Sequence, residues 1–469
     1  MQNMKEISQS VKDQLEQIVG SKYVIWQQED LKAYAMDETE DLCFYPSLAI
    51  KPANTEEISK ILHCCDQHNI PVTPQGARTG LSGGALPVNG GVALSLERLN
   101  QIIEIDENNF QVTVEPGVIT EILQNTVAEK GLFYPPDPAS KGSCFIGGNI
   151  AENSGGPKAV KYGVTQGYVL NLEVVLPNGE IIWTGANVLK NATGYNLTQL
   201  FVGSEGTLGI VTKAVLRLIP IPKLNKLILV PFKSIEAAAS AVVAIFKAGV
   251  TPSGLEFMER DALEWTIKFI GDDSLKVEDG IEAHLLVEVD GNYNDVLMQD
   301  LETILQVVEQ YDCGEVLFAE DQAQKDKLWQ IRRKVGEAVK SQSIYKEEDT
   351  VVPRYHLPEL LSTVKALGLK YGFKSVCYGH AGDGNLHINI IKGDMSDQAW
   401  EQDLTVGIRE LFEKTVELGG TISGEHGIGF VQKNYMDIPF NTIQLSLMKQ
   451  IKQIFDPKGL LNPGKIFPD

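Results

Sequence analysis

The stretch "PQGARTGLSGGA" at residues 74–85 decides the fold of the first half of the chain. It follows the strand-like "IPVT" and contains Gly76, Gly80, Gly83 and Gly84. Glycines let backbone N–H groups converge on an anion such as a pyrophosphate, because no β-carbon obstructs the approach. The spacing matches neither GxGxxG nor GxxxxGK[ST], so a Rossmann or P-loop interpretation is disfavoured. A purely structural turn is the alternative for this segment alone.

Two later stretches have a similar character. They are "PPDPASKGSCFIGGNIAENSGGPKAVKYG" at residues 135–163 and "LFVGSEGTLGIVT" at residues 200–212. Such a long run of Gly, Pro, Asn and Ser is a poor way to build a core but suits a loop that wraps a large cofactor. The three stretches together favour a binding site over a set of turns.

Short Val- and Ile-rich runs from about residue 48 to 218 surround these stretches. Two helical patterns interrupt the runs, and Pro177-Asn178-Gly179 predicts a hairpin turn, so we expect an α+β domain. The prolines of "LRLIPIPKLN" near residue 220 indicate a linker. Beyond it, strand-like and helix-like segments alternate as two β-α-β units, which predicts a ferredoxin-like second domain.

Composition narrows the class of protein. A chain of 469 residues is long enough for two or three domains, and its net charge of −21 disfavours nucleic acid as a partner. The sequence contains no apolar run long enough to span a membrane, and its start shows no signal-peptide core, so we expect a cytoplasmic protein. The six cysteines form no CxxC pair, which argues against an iron–sulfur cluster in this chain.

The patterns "PxGxxTGLSGGA", "PPDPxS", "IGGNIAxNxGG" and "GSEGTLGI" occur in this order, and together they resemble the FAD-binding domain of the vanillyl-alcohol oxidase and p-cresol methylhydroxylase superfamily. The resemblance runs from about residue 45 to 220. It implies non-covalent FAD, because residues 74–85 lack the histidine to which some members attach the flavin. The residues that it implies for FAD binding are Pro74, Gly76, Ala77, Arg78, Thr79, Gly80, Leu81, Ser82, Pro136, Asp137, Ser140, Gly147, Gly148, Asn149, Asn153, Gly156, Gly206 and Ile210.

The second half contains "GHAGDGNLHIN" at residues 379–389. If Asp383-Gly384 is a two-residue hairpin turn, His380 lies directly opposite His387, and Asn389 shares their face. Cross-strand neighbours have Cβ atoms roughly 5 Å apart, close enough for two imidazoles to bind one metal ion. The alternative is a surface turn with two incidental histidines.

The segment "TISGEHGIG" at residues 421–429 offers an acid and an imidazole side by side. Glu425 could complete a metal site, and His426 could move a proton. Taken alone, the segment fits a turn with solvated polar residues equally well.

Together with "FDPKGLLNPGKIF" at residues 455–467, these segments resemble the C-terminal domain of the FAD-linked D-2-hydroxyacid dehydrogenases, the group of the glycolate oxidase catalytic subunit, D-lactate dehydrogenase and D-2-hydroxyglutarate dehydrogenase. The resemblance implies a zinc or manganese ion on His380, His387 and Glu425. It makes Asn389 a substrate contact and His426 the active-site base. Arg332, in "LWQIRRKVGEA", matches the arginine that binds the substrate carboxylate. By itself, that charge-rich segment is more typical of a solvated helix face.

Two positions depart from the D-2-hydroxyglutarate enzymes. Gly336 stands where they have a threonine, and Glu347 stands where they have a lysine, with Lys346 adjacent. Both departures weaken the case for a second carboxylate on the substrate, although a one-residue misalignment would restore Lys346. A monocarboxylate such as glycolate or D-lactate is therefore the expected substrate, with D-2-hydroxyglutarate as the alternative.

The expected organisation is an FAD-binding domain at 1–220, a cap or substrate domain at 221–424, and a C-terminal segment at 425–469 that returns to the FAD domain. The expected electron acceptor is external: a quinone, a cytochrome, an electron-transfer flavoprotein, an iron–sulfur subunit or oxygen. A homodimer and a peripheral position at the inner membrane are left open. The rival functions are ether-lipid synthesis, a non-catalytic FAD subunit of a glycolate-oxidising complex, and sugar or aldonolactone oxidation.

Overall fold

The computed structural model describes residues 7–39, 42–271 and 275–468. It divides into two compact units. Unit 1 comprises Met1–Gly155, Val164–Ile221 and Glu425–Asp469, and unit 2 comprises Gly156–Gly163 and Pro222–Gly424. Each unit therefore combines segments that are distant in the sequence.

The α-helices, in chain order, are α1 (Gln9–Val19), α2 (Gln28–Leu31), α3 (Thr55–His68), α4 (Thr120–Ala128), α5 (Ile146–Glu152), α6 (Ala159–Tyr162), α7 (Leu197–Phe201), α8 (Ile235–Lys247), α9 (Arg260–Ile270), α10 (Asn294–Val308), α11 (Gln322–Lys340), α12 (Leu357–Tyr371), α13 (Leu404–Glu417) and α14 (Thr442–Phe455). Within the described ranges, none of these helices is both long and apolar enough to cross a membrane.

The β-strands are β1 (Val24–Ile25), β2 (Leu48–Ile50), β3 (Val72–Gln75), β4 (Val92–Ser95), β5 (Ile102–Asp106), β6 (Gln111–Val114), β7 (Leu132–Phe133), β8 (Val169–Val175), β9 (Ile181–Trp183), β10 (Ile210–Arg217), β11 (Ile219–Pro220), β12 (Leu224–Phe232), β13 (Gly254–Glu259), β14 (Ala283–Gly291), β15 (Leu317–Phe318), β16 (Tyr345–Val351), β17 (Lys374–Gly379) and β18 (Asn385–Ile391).

One sheet of unit 1 has the strand order β1-β2-β4-β3, in which β2, β4 and β3 run parallel. Its strands are almost entirely buried, which explains why they read as continuous apolar runs without alternation. The C-terminal segment joins this sheet, because the Val72 N–H donates to Leu460 and the Asn462 N–H donates to the Val72 carbonyl. The strand β3 leads directly into the glycine-rich stretch at 74–85.

A second sheet of unit 1 has the antiparallel order β5-β6-β10-β8-β9. The predicted hairpin at Pro177-Asn178-Gly179 joins β8 and β9, and Gly179 has a φ of +91°. A β-carbon there would lie 2.7 Å from the Ser59 carbonyl oxygen, so the turn requires glycine on two counts.

Unit 2 contains a seven-stranded sheet with the order β15-β12-β14-β13-β17-β18-β16. The first four strands and the helices α8 and α10 form the predicted ferredoxin-like arrangement, and the other three extend its edge. The helix α9, directly after β13, was not predicted. The segment Gly156–Gly163 also belongs to this unit, where Lys161 Nζ lies 2.5 Å from Asp290 and the Tyr162 hydroxyl donates to the same carboxylate at 2.9 Å.

Candidate active site

A cavity in unit 1 lies where the three glycine-rich stretches meet. A β-carbon on Gly76 would lie 3.8 Å from the backbone nitrogen of Gly148, and one on Gly206 would lie 2.7 Å from Pro74 Cγ. The stretches therefore pack closely against one another. At Gly80 and Gly148, in contrast, a β-carbon would meet no protein atom within 4 Å. Bare backbone at these two positions borders open space, which is the surface that a pyrophosphate needs.

Most of the residues predicted to bind FAD line this cavity. They are Pro74, Gly76, Ala77, Arg78, Thr79, Gly80, Leu81, Ser140, Gly147, Gly148, Asn149, Gly206 and Ile210. Glu425 and His426 line it as well.

Five predicted residues are not among the lining residues: Ser82, Pro136, Asp137, Asn153 and Gly156. The Ser82 carbonyl instead accepts the N–H groups of Phe430 and Val431, at 2.9 and 3.1 Å. Asn153 ends α5 in the left-handed conformation, and Gly156 belongs to unit 2.

The sequence analysis missed two glutamates in the cavity wall, the buried Glu205 and the partly buried Glu152. Glu205 accepts the backbone N–H groups of Ile428 and Gly429 at 2.8 and 2.7 Å. A β-carbon on Gly427 would overlap Glu152 Oε2 and lie 3.1 Å from Glu205 Oε1, so both carboxyl groups approach the backbone next to His426. Both glutamates lie inside the quoted motifs, where an acidic residue among glycines was the available signal.

Burial, and after it the neighbouring carboxyl of Glu205, raise the pKa of Glu152 well above its usual value. Burial also raises the pKa of Glu205, although the two backbone N–H groups oppose the shift. Lys465 is buried as well, and burial lowers its pKa to about 8 against the attraction of these carboxyl groups. The native state therefore favours a protonated Glu152.

The folded protein binds this proton more tightly than the unfolded chain does. Its free energy of unfolding therefore falls as the pH rises above 4.5, the usual pKa of glutamate. We therefore expect Glu152→Gln to gain stability over the wild type between pH 5 and pH 8, by about 1–3 kcal/mol at pH 8. Urea denaturation at both pH values, with equal excess FAD, measures this difference. The matched control Glu205→Gln should destabilise at both pH values, because it loses an acceptor for a backbone N–H. A Glu152→Gln effect that does not change with pH would contradict the assignment.

In unit 2, the predicted histidine hairpin is formed by β17 and β18, but its predicted register is wrong. His387 pairs with Tyr378, not with His380. The turn is longer than two residues, because the His380 carbonyl accepts the N–H groups of both Gly384 and Asn385 at 3.2 Å. His380 is thus a diagonal neighbour of His387 on the same face. Their ring centroids lie 5.4 Å apart, so the two imidazoles are still together.

Glu256 on β13 joins two of the predicted residues. Its carboxylate lies 2.8 Å from His380 Nδ1 and 2.7 Å from Arg332 Nη2, and its side chain is fully buried. Burial by itself raises the pKa of Glu256, but His380 and Arg332 lower it overall. Arg332 is only 4% exposed, so the solvated helix face that "LWQIRRK" resembled does not describe it.

Asn389 follows His387 on the same face of β18 and is fully buried. Neither its amide nitrogen nor its amide oxygen meets the geometry of a hydrogen bond with a described residue, although the side chain lies close enough to the Tyr378 hydroxyl to lower the pKa of that group. Buried amides normally have partners, so these atoms are available to a ligand. The Arg332 guanidinium stacks over the ring of Tyr378 at 5.1 Å, next to the same face.

The strand β16 borders the histidine face from the other side. Glu347 pairs with Asn389, and its carboxylate lies 3.3 Å from the Tyr378 hydroxyl and 3.5 Å from His387 Nδ1. Burial, and then the Glu347 charge, raise the pKa of Tyr378 well above its usual value. Lys346, one residue earlier, instead has its ammonium 5.2 Å from the centroid of the Trp400 ring.

Asp349, also on β16, fixes the end of unit 2. It accepts the Gly424 N–H at 2.8 Å and the Ser423 hydroxyl at 3.0 Å, and its other oxygen lies 3.8 Å from His387 Nδ1. Glu425 is the next residue after Gly424, where the chain enters unit 1. That Glu425 joins the two histidines stays a prediction.

Comparison with known protein families accounts for both halves of the chain. The model of the FAD linked oxidases, C-terminal domain, matches residues 221–466, and the model of the FAD binding domain matches residues 46–185. The chain belongs to the FAD-linked oxidase family. It is thus an FAD-linked oxidoreductase, as the sequence motifs predicted.

Among relatives of this family, the chain is 41% identical over 466 residues to the glycolate oxidase subunit GlcD of Bacillus subtilis, covering 98% of this chain and 97% of that protein. It is 40% identical over 425 residues to the D-lactate dehydrogenase of Anaerostipes hadrus, covering 90% of this chain and 89% of that protein. The solved structure of p-cresol methylhydroxylase with substrate bound superposes with a TM-score of 0.81 at 18% identity, over 99% of this chain and 98% of that one. This likeness confirms the predicted α+β fold.

Proposed function

We propose that this FAD-linked oxidase converts a D-2-hydroxy acid with one carboxylate, such as glycolate or D-lactate, into the 2-keto acid. The observation that carries the proposal is the buried face of unit 2 on which Arg332, the histidine pair and Asn389 lie. A buried guanidinium suits a carboxylate, which it can hold through two parallel hydrogen bonds. The names of the two curated relatives support the same reaction class.

FAD would be held non-covalently by the three glycine-rich stretches of unit 1. The open backbone at Gly80 and Gly148 fits its pyrophosphate, and Ile210 offers an apolar contact. When bound, FAD accepts the hydride that leaves C2 of the substrate. The chain itself supplies the binding, the orientation and the proton transfer.

His380, His387 and Glu425 would hold a divalent metal ion. Two imidazoles and a carboxylate suit zinc or manganese, and Glu256 on His380 Nδ1 is the kind of partner that metal-binding histidines have. The position of Glu425 in the chain supports its role as a ligand. The preceding residue, Gly424, donates its N–H to Asp349, which lies beside His387, and consecutive Cα atoms are only about 3.8 Å apart. The charge of such an ion lowers the pKa of a nearby hydroxyl group.

His426 would act as the base that takes the proton of the substrate hydroxyl. It lines the cavity in which the flavin would lie, which supports a position near the reacting carbon. Arg332 would bind the substrate carboxylate, and Asn389 would donate a hydrogen bond from its unpartnered amide. Turnover would require an external electron acceptor, and the word subunit in the name of the Bacillus relative supports a partner protein in that role.

Glu347 and Tyr378 support a substrate with one carboxylate. Glu347 brings a negative charge to the face where the D-2-hydroxyglutarate enzymes have a lysine, and Lys346 contacts Trp400 instead. A β-carbon at Gly336 would lie 3.2 Å from the Tyr378 hydroxyl, so the tyrosine occupies the space beside this position. A second carboxylate at this end would be repelled by Glu347, because the neighbouring Lys346 contacts Trp400 and does not offset that charge.

We expect the purified enzyme to reduce an artificial dye acceptor with D-lactate or glycolate, and at least 10²-fold less efficiently with D-2-hydroxyglutarate, because like charges in a partly buried site cost several kcal/mol. Glu347→Lys should raise kcat/KM for D-2-hydroxyglutarate and lower the ratio of monocarboxylate to dicarboxylate activity. The matched control Lys346→Glu should leave this ratio near the wild-type value. Preferred oxidation of D-2-hydroxyglutarate by the wild type would instead support the dicarboxylate alternative.

A further inference from the structure

We propose that Glu256 is a positioning residue that holds the metal ligand His380 and the substrate-binding Arg332 on one buried carboxylate. This inference rests on the proposed function, because it assumes that His380 binds metal and that Arg332 binds substrate. It adds a residue that no sequence motif indicated.

The sheet of unit 2 explains why Glu256 meets His380. In the antiparallel pair of β13 and β17, Phe257 is opposite Gly379. The next pair in this register is Glu256 and His380, so the carboxylate directly faces the imidazole. Both carboxylate oxygens lie within hydrogen-bond distance of His380 Nδ1, at 3.0 and 2.8 Å.

Arg332 reaches the same carboxylate from the helix α11. The apolar residues of the helix, such as Ile331 and Val335, pack on Met258 and its neighbours in the core of unit 2. Its position is therefore set by packing, and Arg332 Nη2 lies 2.7 Å from Glu256 Oε2. The contact with Glu256 is an ion pair, because among the described residues neither the Nε nor the Nη2 of Arg332 makes a hydrogen bond.

One carboxylate at this position has two chemical effects. It accepts the Nδ1–H of His380, which places the proton on Nδ1 and leaves the Nε2 lone pair available to a metal ion. It also binds one end of the Arg332 guanidinium, whose five N–H donors leave others for a substrate carboxylate. Glu256 thereby sets the distance and orientation between the metal ligand and the carboxylate-binding group.

A purely structural ion pair would behave differently. Such a pair affects the free energy of unfolding, but it leaves the metal affinity of the folded protein unchanged. Glu259 provides this comparison on the same strand. It is also buried, its carboxylate lies 2.7 Å from Lys365 Nζ, and it accepts the Cys377 N–H at 3.0 Å. Its hydrogen bonds and ion pair among the described residues involve none of the proposed metal or substrate residues.

The test compares Glu256→Gln with Glu259→Gln in the full-length FAD-loaded protein. After chelator treatment, competition between the protein and a coloured chelator measures the affinity for Zn²⁺ and Mn²⁺ alone. We expect Glu256→Gln to weaken metal affinity by about 10–100-fold, the range for partners of metal-binding histidines. Its KM for the hydroxy acid, measured at saturating metal, should also rise. Glu259→Gln should keep the wild-type metal affinity.

Folded, FAD-containing Glu256→Gln with wild-type metal affinity and wild-type KM would overturn the inference. If Glu256→Gln does not fold, Glu256→Asp is measured in the same way. Its metal affinity should fall and its KM should rise, because the carboxylate is retracted by one methylene. Both changes should be smaller than those expected for Glu256→Gln, because aspartate keeps the negative charge. Wild-type protein that binds neither metal would refute the proposed metal site itself. That outcome is distinct from a wild type that binds metal and a Glu256 variant that binds it equally well.

Discussion

Replacing His426 with alanine is expected to lower the rate of flavin reduction by a 2-hydroxy acid by about 10²–10⁴-fold, the usual contribution of a general base. Hydride cannot leave C2 easily while the hydroxyl keeps its proton, because the product carbonyl would then carry a positive charge. FAD should stay bound, since the glycine-rich stretches and not this side chain provide its predicted contacts. The first-order rate of flavin bleaching in anaerobic stopped-flow experiments measures the effect.

The visible absorbance of bound FAD serves as the internal control for this variant. His356→Ala is the matched control, because His356 is a half-buried histidine near Glu359 that has no part in the proposed reaction. It should reduce its flavin at the wild-type rate. Undiminished reduction in His426→Ala would show that another group takes the proton.

Replacing Arg332 with lysine should lower kcat/KM for the hydroxy acid by about 10²–10³-fold, which corresponds to roughly 3–4 kcal/mol. Lysine keeps the charge but loses the planar fork that binds a carboxylate through two parallel hydrogen bonds. It also cannot maintain the stacking of the guanidinium on Tyr378 or reach Glu256 with the same geometry. Steady-state kinetics with a dye acceptor measure this loss.

Arg333 offers a matched control for the same substitution. It is the next residue on α11, and its guanidinium stacks over Trp329 at 5.6 Å. We expect Arg333→Lys to retain most of the activity. Equal losses in the two variants would mean that the helix needs arginine for packing, and wild-type kcat/KM in Arg332→Lys would contradict the role of Arg332 in binding the carboxylate.

The sequence motifs predicted the fold well, and the three glycine-rich stretches that carried the prediction line one cavity in the structure. The ferredoxin-like arrangement of four strands in unit 2 also followed from the alternation of strand-like and helix-like segments, whereas the three strands β16, β17 and β18 of the same sheet did not. The alternating faces of β18 were enough to place His387 and Asn389 on one side. Local patterns of this kind can be recognised from the sequence alone.

The register of the histidine hairpin could not be predicted from the local pattern. It depends on the length of the turn, and Asp383-Gly384 turned out to be part of a longer loop in which Gly384 has a φ of +87°. A β-carbon on Gly384 would overlap the Val352 carbonyl oxygen, so the turn packs tightly against the residue that follows the neighbouring strand β16. A motif of eleven residues contains no information about that strand.

Glu256 was missed for a similar reason. It lies 124 residues before His380 in the sequence, and only the pairing of β13 with β17 brings the two together. Whether Lys346 or Glu347 faces the histidines also depends on strand pairing, since adjacent residues of a strand point to opposite faces. Local sequence patterns do not reveal site residues that come from strands far apart in the sequence.

The most direct test of the central claim is anaerobic bleaching of the visible flavin absorbance by D-lactate, L-lactate, glycolate and D-2-hydroxyglutarate in turn, with and without a chelator. We expect rapid bleaching by D-lactate or glycolate, its loss in protein shown to be metal-free, and its recovery with Zn²⁺ or Mn²⁺. Bleaching at the same rate in metal-free protein, or no bleaching by any of the four acids, would contradict the account.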